Sequence, residues 1–80
     1  MTRRKTLTTQ VADALAERIH AGTLAPGSQL PTEAELCAEF DVSRTVVREA
    51  VARLRSGGLV TAQQGRGVFV NETPSPQSFL

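Results

Sequence analysis

Eighty residues make one small domain, which buries only about 60–65% of the surface of its unfolded chain and so has modest stability without help. An apolar fraction of 40% is ordinary for a globular chain, and a formal net charge of +1 is too small to argue for a nucleic-acid partner by itself. The single cysteine, Cys37, excludes an internal disulfide, and no segment approaches the roughly 20 apolar residues of a membrane helix.

The arrangement of charge says more than its sum. Arg44, Arg48, Arg53, Arg55 and Arg66 fall between positions 42 and 70, against Glu49 alone. Asp13, Glu17, Glu33, Glu35, Glu39 and Asp41 come earlier. One half is acidic and the other basic, which suits a one-sided surface for a polyanion. One histidine, one cysteine and no paired carboxylates in a plausible pocket supply no catalytic constellation. No glycine-rich phosphate loop follows a strand, so no cofactor is expected. Cys37 and His20 are too few and too far apart for a metal site, and Cys37 reads as a small buried thiol. The start, MTRRKTLTTQ, is basic with no apolar run behind it, so it is not a signal peptide. The expected compartment is the cytosol, with no membrane association.

In chain order, residues 1–6 form a polar arm with Arg3, Arg4 and Lys5, either solvated or touching phosphates. Leu7, Val11, Leu15 and Ile19 then recur every four residues and predict an amphipathic helix with Asp13, Glu17 and His20 on its far side. Gly22 suits a left-handed cap, and His20 reads as a surface residue in the last turn. Pro26-Gly27 marks a tight turn, and Gln29-Leu30 a very short strand. Thr32 as N-cap, with Glu35 three residues on, makes a capping box, and Pro31 just outside fits a sharp entry. The second helix runs to about Phe40 and buries Leu36, Cys37 and Phe40. After a short break at Asp41-Val42, Ser43 caps a third helix over 44–56, ended by Gly57-Gly58. LVTA and GVFV read as two short strands around QQGRG, a hairpin with glycines at its tip. The tail NETPSPQSFL has two prolines and no periodicity, as a linker does.

Two helices joined by a very short turn, the second rich in arginine, make a helix-turn-helix candidate. At about 100° per residue, Val46, Val47, Ala50, Val51 and Leu54 fall on one side of the third helix. Arg44, Thr45, Arg48, Glu49, Ala52 and Arg55 fall on the other. An arginine pair on a helix is often a solvated face only. Here, however, the pair lies at the N-terminal end, where a recognition helix meets base edges. Arginine forks match guanine O6 and N7 or phosphate oxygens. The Ser43 and Thr45 hydroxyls, with the free N–H groups of the helix start, suit a phosphate, and Thr45 could instead meet a thymine methyl. Arg55 lies eleven residues beyond Arg44, roughly 16 Å along the axis, and is expected to reach no base. Arg53 sits at the boundary and is expected to pack or to pair with an acid. Gly65 and Gly67 allow close backbone approach at the hairpin tip, and Arg66 supplies a cation for an adjacent minor groove.

The run LPTEAEL…FDVSRTVVREAVARLRSGGLVTAQQGRGVFV resembles the winged helix-turn-helix of GntR-family bacterial transcription regulators. Residues 5–73 carry the resemblance, and the VSRTVVREAV spelling is most similar to the FadR-type branch. It implies a mainly α fold, three helices with a two- to three-stranded β-hairpin wing. The helix-turn-helix would span about 33–52 and the wing about 59–70. It implies DNA contacts from Thr32, Ser43, Arg44, Thr45, Val46 and Arg48, and from Gln64, Gly65, Arg66 and Gly67 at the wing. Three departures stand out: Ala34 replaces a common DNA-contacting arginine, Asp41 a turn glycine, and Val46 a threonine or proline. The resemblance further implies that 74–80 is a linker to a C-terminal effector domain beyond this chain. That domain would dimerise the regulator and bind a small metabolite. Two copies would then read a palindromic double-stranded operator, one recognition helix per half-site. The rival reading is a winged helix used for protein contacts alone.

Overall fold

The computed structural model describes residues 5–71, so Arg3, Arg4 and the predicted linker at 74–80 lie outside the described residues. Five elements follow in order: α1 (Leu7–Ala21), α2 (Glu33–Phe40), α3 (Arg44–Ser56), β1 (Val60–Gln63) and β2 (Gly67–Val70). Each helix begins on a hydroxyl residue in extended conformation. The side chains of Thr6, Thr32 and Ser43 accept from the N–H groups of Thr9, Glu35 and Val46. Such a cap is worth about 1 kcal/mol. At α2 the capping box is closed, because Glu35 Oε1 also accepts from the Thr32 N–H at 2.9 Å.

The core gathers Val11 and Leu15 from α1, Leu36 from α2, Val47, Ala50 and Leu54 from α3, and Val60 and Val70 from the strands. Leu30 enters from the connector and is also buried. Two expectations about burial need correction. Cys37 and Phe40 are only half-buried, as they flank the line of α2 that points inward at Leu36. Leu7, counted in the apolar stripe of α1, is 53% exposed. In the first turn of the helix it is Thr8 that turns inward, donating its hydroxyl to Glu49 Oε1 at 2.9 Å.

α2 and α3 are joined through Asp41, whose φ of 56° and ψ of 52° place it in the left-handed region. Its N–H reaches the Cys37 carbonyl and closes the helix end. A non-glycine residue pays for that conformation, and aspartate is among the few that adopt it readily.

β1 and β2 pair antiparallel in the register Val60↔Val70, Thr61↔Phe69, Ala62↔Val68 and Gln63↔Gly67. The first strand begins one residue later than predicted. The Leu59 N–H is held by the Leu54 carbonyl at 2.9 Å, so Leu59 finishes α3 instead of opening the strand. The short third strand expected at Gln29-Leu30 is a single bridge, Gln29↔Phe69. Around it, Leu30 N–H donates to the Val68 carbonyl at 2.7 Å and Val70 N–H to the Ser28 carbonyl at 2.8 Å. These bonds cover the outer edge of β2 and tie the hairpin to the helices.

Candidate nucleic-acid interface

Rotation of α3 about its axis is fixed by its buried side. Val47 and Ala50 are fully buried and Leu54 nearly so. Arg44, Thr45, Arg48, Ala52 and Arg55 are consequently exposed. Val46 is half-buried, and its N–H is taken by the Ser43 side chain at 3.2 Å. That leaves the Ser43 hydroxyl proton and the amides of Arg44 and Thr45 to meet a phosphate, since the first amides of a helix have no partner within it.

Arg48 is anchored on one side. Its Nε donates to Glu33 Oε2 at 3.1 Å, across the turn between α2 and α3. Thr32, next to Glu33, is committed to the capping box through both its hydroxyl and its N–H. Ala34 is exposed beside them, and the first turn of α2 carries the acids Glu33 and Glu35.

The hairpin tip is the three-residue turn Gln64, Gly65 and Arg66, closed by the Arg66 N–H on the Gln63 carbonyl at 2.8 Å. All three are exposed. Beneath them, Gln29 Nε2 donates to the Arg66 carbonyl at 3.0 Å. Gly67 has a φ of +117°, and a Cβ there would come 2.5 Å from that same Gln29 nitrogen. The wing tip is thus set by a side chain of the connector before α2.

Between α2, α3 and the wing lies a groove of about 490 Å³, its walls including Leu30, Val51 and Val68. Thr32, Arg48 and Gly67 of the expected site residues line it, together with Arg55. Ser43, Arg44, Thr45 and Val46 stand outside it at the start of α3, as do Gln64, Gly65 and Arg66 at the wing tip. Of the two expectations for Arg53, packing and pairing with an acid, the structure shows the first, against α1. Its Nη1 donates to the Thr9 hydroxyl at 2.6 Å and not to an acid, because α1 presents threonines to that part of α3 and Glu49 is taken by Thr8. Arg53 and Glu49 therefore hold α1 against α3 and belong to the scaffold.

A second scaffold link joins α1 to α2. Arg18 pairs with Glu39 and lies 5.2 Å from the centre of the Phe40 ring. The bond to Glu39 raises the pKa of Arg18 further, and the bond to Arg18 holds the Glu39 carboxyl below its ordinary value.

Two interface residues escape a reading of the sequence. Glu33 stands in the first turn of α2, where an acid suits the helix start by itself, and its partner lies fifteen positions away. Gln29 carries only a strand signal in the sequence, and its amide acts on a turn thirty-seven positions on. Among the described residues, no group of three or more His, Cys, Asp or Glu is placed to hold a metal ion, and no helix is long and apolar enough to cross a membrane.

The model of the family described as "Bacterial regulatory proteins, gntR family" matches residues 7–70. The chain belongs to the GntR family. The GntR-type domain is 44% identical over 68 residues to the mannosyl-D-glycerate transport/metabolism system repressor MngR of Escherichia coli, a match covering 85% of this chain and 28% of that protein. It is 42% identical over 71 residues to the histidine utilization repressor of Klebsiella aerogenes, covering 89% of this chain and 29% of that one. The chain thus spans less than a third of the curated relatives it matches. Its backbone is similar to the crystal structure of AraR(DBD) in complex with operator ORR3, with a TM-score of 0.82 and 36% identity, covering 88% of this chain and 84% of that one. Three helices and an antiparallel hairpin in this order form the winged-helix DNA-binding domain of a GntR-family regulator.

Proposed function

We propose that this domain reads a short palindromic operator for a metabolite-responsive bacterial repressor. The observation that carries the reading is the presentation of α3. Val47, Ala50 and Leu54 lock one side into the core, and Arg44 and Arg48 stand exposed on the first turn and a half of the other. The N-terminal part of α3 enters the major groove. Arg44 and Arg48 contact bases or phosphates, while Ser43, Thr45 and the free amides of the first turn receive a phosphate. Val46 shapes the same entry, and Thr32 borders it from α2. Gln64, Gly65, Arg66 and Gly67 present the wing tip to the neighbouring minor groove.

The similarity to AraR(DBD), solved with operators ORR3 and ORE1, supports a DNA partner over a protein-only winged helix. Two relatives are named as repressors, which supports that sign of regulation. The rest follows from the family resemblance: residues 5–73 as the DNA-binding unit, 74–80 as linker, and a C-terminal domain that dimerises and binds a small effector. So do a cytoplasmic location and a non-catalytic role. Assignment to the FadR-type branch rests on the VSRTVVREAV spelling alone, and the matched relatives carry other names. Selection of duplexes from a randomised pool by the 80-residue chain tests the reading. Enrichment of one half-site sequence is expected. Retention of no duplex above background would contradict it.

A further inference from the structure

The ion pair between Glu33 and Arg48 is not explained by the capping of α2 or by the packing of α3. Glu33 is the first residue of α2, and Arg48 lies on the second turn of α3. Their side chains are 44% and 63% exposed, and an exposed pair of this kind adds little to folding. We propose that Glu33 is a specificity-determining residue of the DNA interface, whose carboxylate orients the Arg48 guanidinium toward one base edge. This rests on the reading of Arg48 as a base contact.

The chemistry follows from the shape of the group. A guanidinium is a flat fork with donors on three nitrogens. Glu33 Oε2 occupies the Nε side at 3.1 Å, and among the described residues neither terminal nitrogen has a hydrogen-bond partner. The terminal pair is the edge that matches guanine O6 and N7. Both ends of the ion pair are fixed. Glu33 starts a helix whose capping box is closed, and Val47, next to Arg48, is fully buried. An arginine held in its binding geometry loses less side-chain freedom on contact.

The carboxylate has a second effect of the same sense. It places a negative charge beside the phosphate backbone, where sequence-independent binding is electrostatic. Affinity for any DNA falls, and the contact that Glu33 directs falls least. Discrimination arises from weakening the wrong complexes as well as strengthening the right one.

The test uses the 80-residue chain, a duplex selected by the unaltered protein, single base-pair variants of that duplex, and an unrelated duplex, all at one salt concentration. Arg48→Ala should abolish preference at one base pair. Glu33→Ala should reduce the preference at that same base pair about tenfold, while binding to the unrelated duplex stays equal or tightens. Glu33→Gln, which keeps an acceptor oxygen, should fall between. Circular dichroism melting of each variant separates loss of fold from loss of reading. If Arg48→Ala loses the preference and well-folded Glu33→Ala and Glu33→Gln keep it in full, the orienting role of Glu33 is overturned and Arg48 as base reader stands. Equal weakening of Glu33→Ala on every duplex overturns it as well. If Arg48→Ala keeps the preference, Arg48 reads no base and both statements fall.

Discussion

Gln29 lies so close over Gly67 that a side-chain carbon added at position 67 would come 2.5 Å from its amide nitrogen. The same nitrogen holds the Arg66 carbonyl at 3.0 Å. One connector side chain thus fixes both the backbone turn and the height of the arginine at the wing tip.

Gly67→Ala should therefore be costly chiefly through a φ of +117° that L side chains rarely adopt, while the flexible end of Gln29 moves aside and gives up its bond to the Arg66 carbonyl. About 1–3 kcal/mol is expected. For a domain of this size that lowers Tm by at least about 4 °C in a thermal melt. Unchanged Tm would mean that the hairpin is free to move away from Gln29.

Thr8 is a buried polar residue on α1, and its hydroxyl meets Glu49, the single acid among the five arginines at 42–70. Thr8→Val leaves that carboxylate without its donor. A loss of about 1 kcal/mol is expected in urea unfolding. Thr8→Val and Glu49→Gln combined should show a coupling of at least about 0.5 kcal/mol. Strict additivity would reduce the bond to a surface contact.

Much of this was legible in the sequence, and the residues show where legibility stops. The starts of α2 and α3 were readable because a cap is local: Thr32 and Glu35 are three residues apart, and Ser43 immediately precedes the helix it caps. The inward side of α3 was readable because Val47, Ala50 and Leu54 repeat at helical spacing. The strand start was misplaced by one residue because Leu59 is held back by a helix-end hydrogen bond to Leu54 that apolar pattern does not reveal. The partners of Arg53 and Arg48 were not readable, since each lies on another helix and its choice depends on how the helices pack. DNA-facing roles for Ser43, Arg44, Thr45, Arg48, Gly65, Arg66 and Gly67 were legible from the helix-turn-helix and hairpin pattern, whereas those of Thr32, Val46 and Gln64 came from resemblance.

Arg48→Ala should cost about 1–3 kcal/mol on the selected duplex if Arg48 reads a base bidentately, and should relax preference at one position. Arg55→Ala should leave base preference intact. Arg55 lines the groove two turns further along α3, so any effect should appear equally on all duplexes, with a shallower salt slope. Fluorescence anisotropy titrations over a salt series measure both.

The Arg18–Glu39 pair gives a pH dependence with a definite sign. The bond to Arg18 holds the Glu39 carboxyl below its ordinary value of 4.5. A carboxyl with a depressed folded pKa contributes stability that is fully present above its unfolded value and is lost as pH falls through the folded one. Tm should thus decline as pH drops from about 5 toward 3, and Glu39→Gln should flatten that decline. A steeper decline in Glu39→Gln would assign the acid sensitivity to other carboxylates.

The domain's claim to DNA is tested most directly by the salt dependence of its affinity for the selected duplex. Phosphate contacts release counterions, so log K should fall linearly with log salt concentration, at roughly 0.9 for each phosphate neutralised. A slope corresponding to several phosphates on the selected duplex, retained in part on unrelated DNA, is the expected result. An affinity flat in salt, or no affinity at low salt, would contradict the assignment of Arg44, Arg48 and Arg66 to a DNA interface.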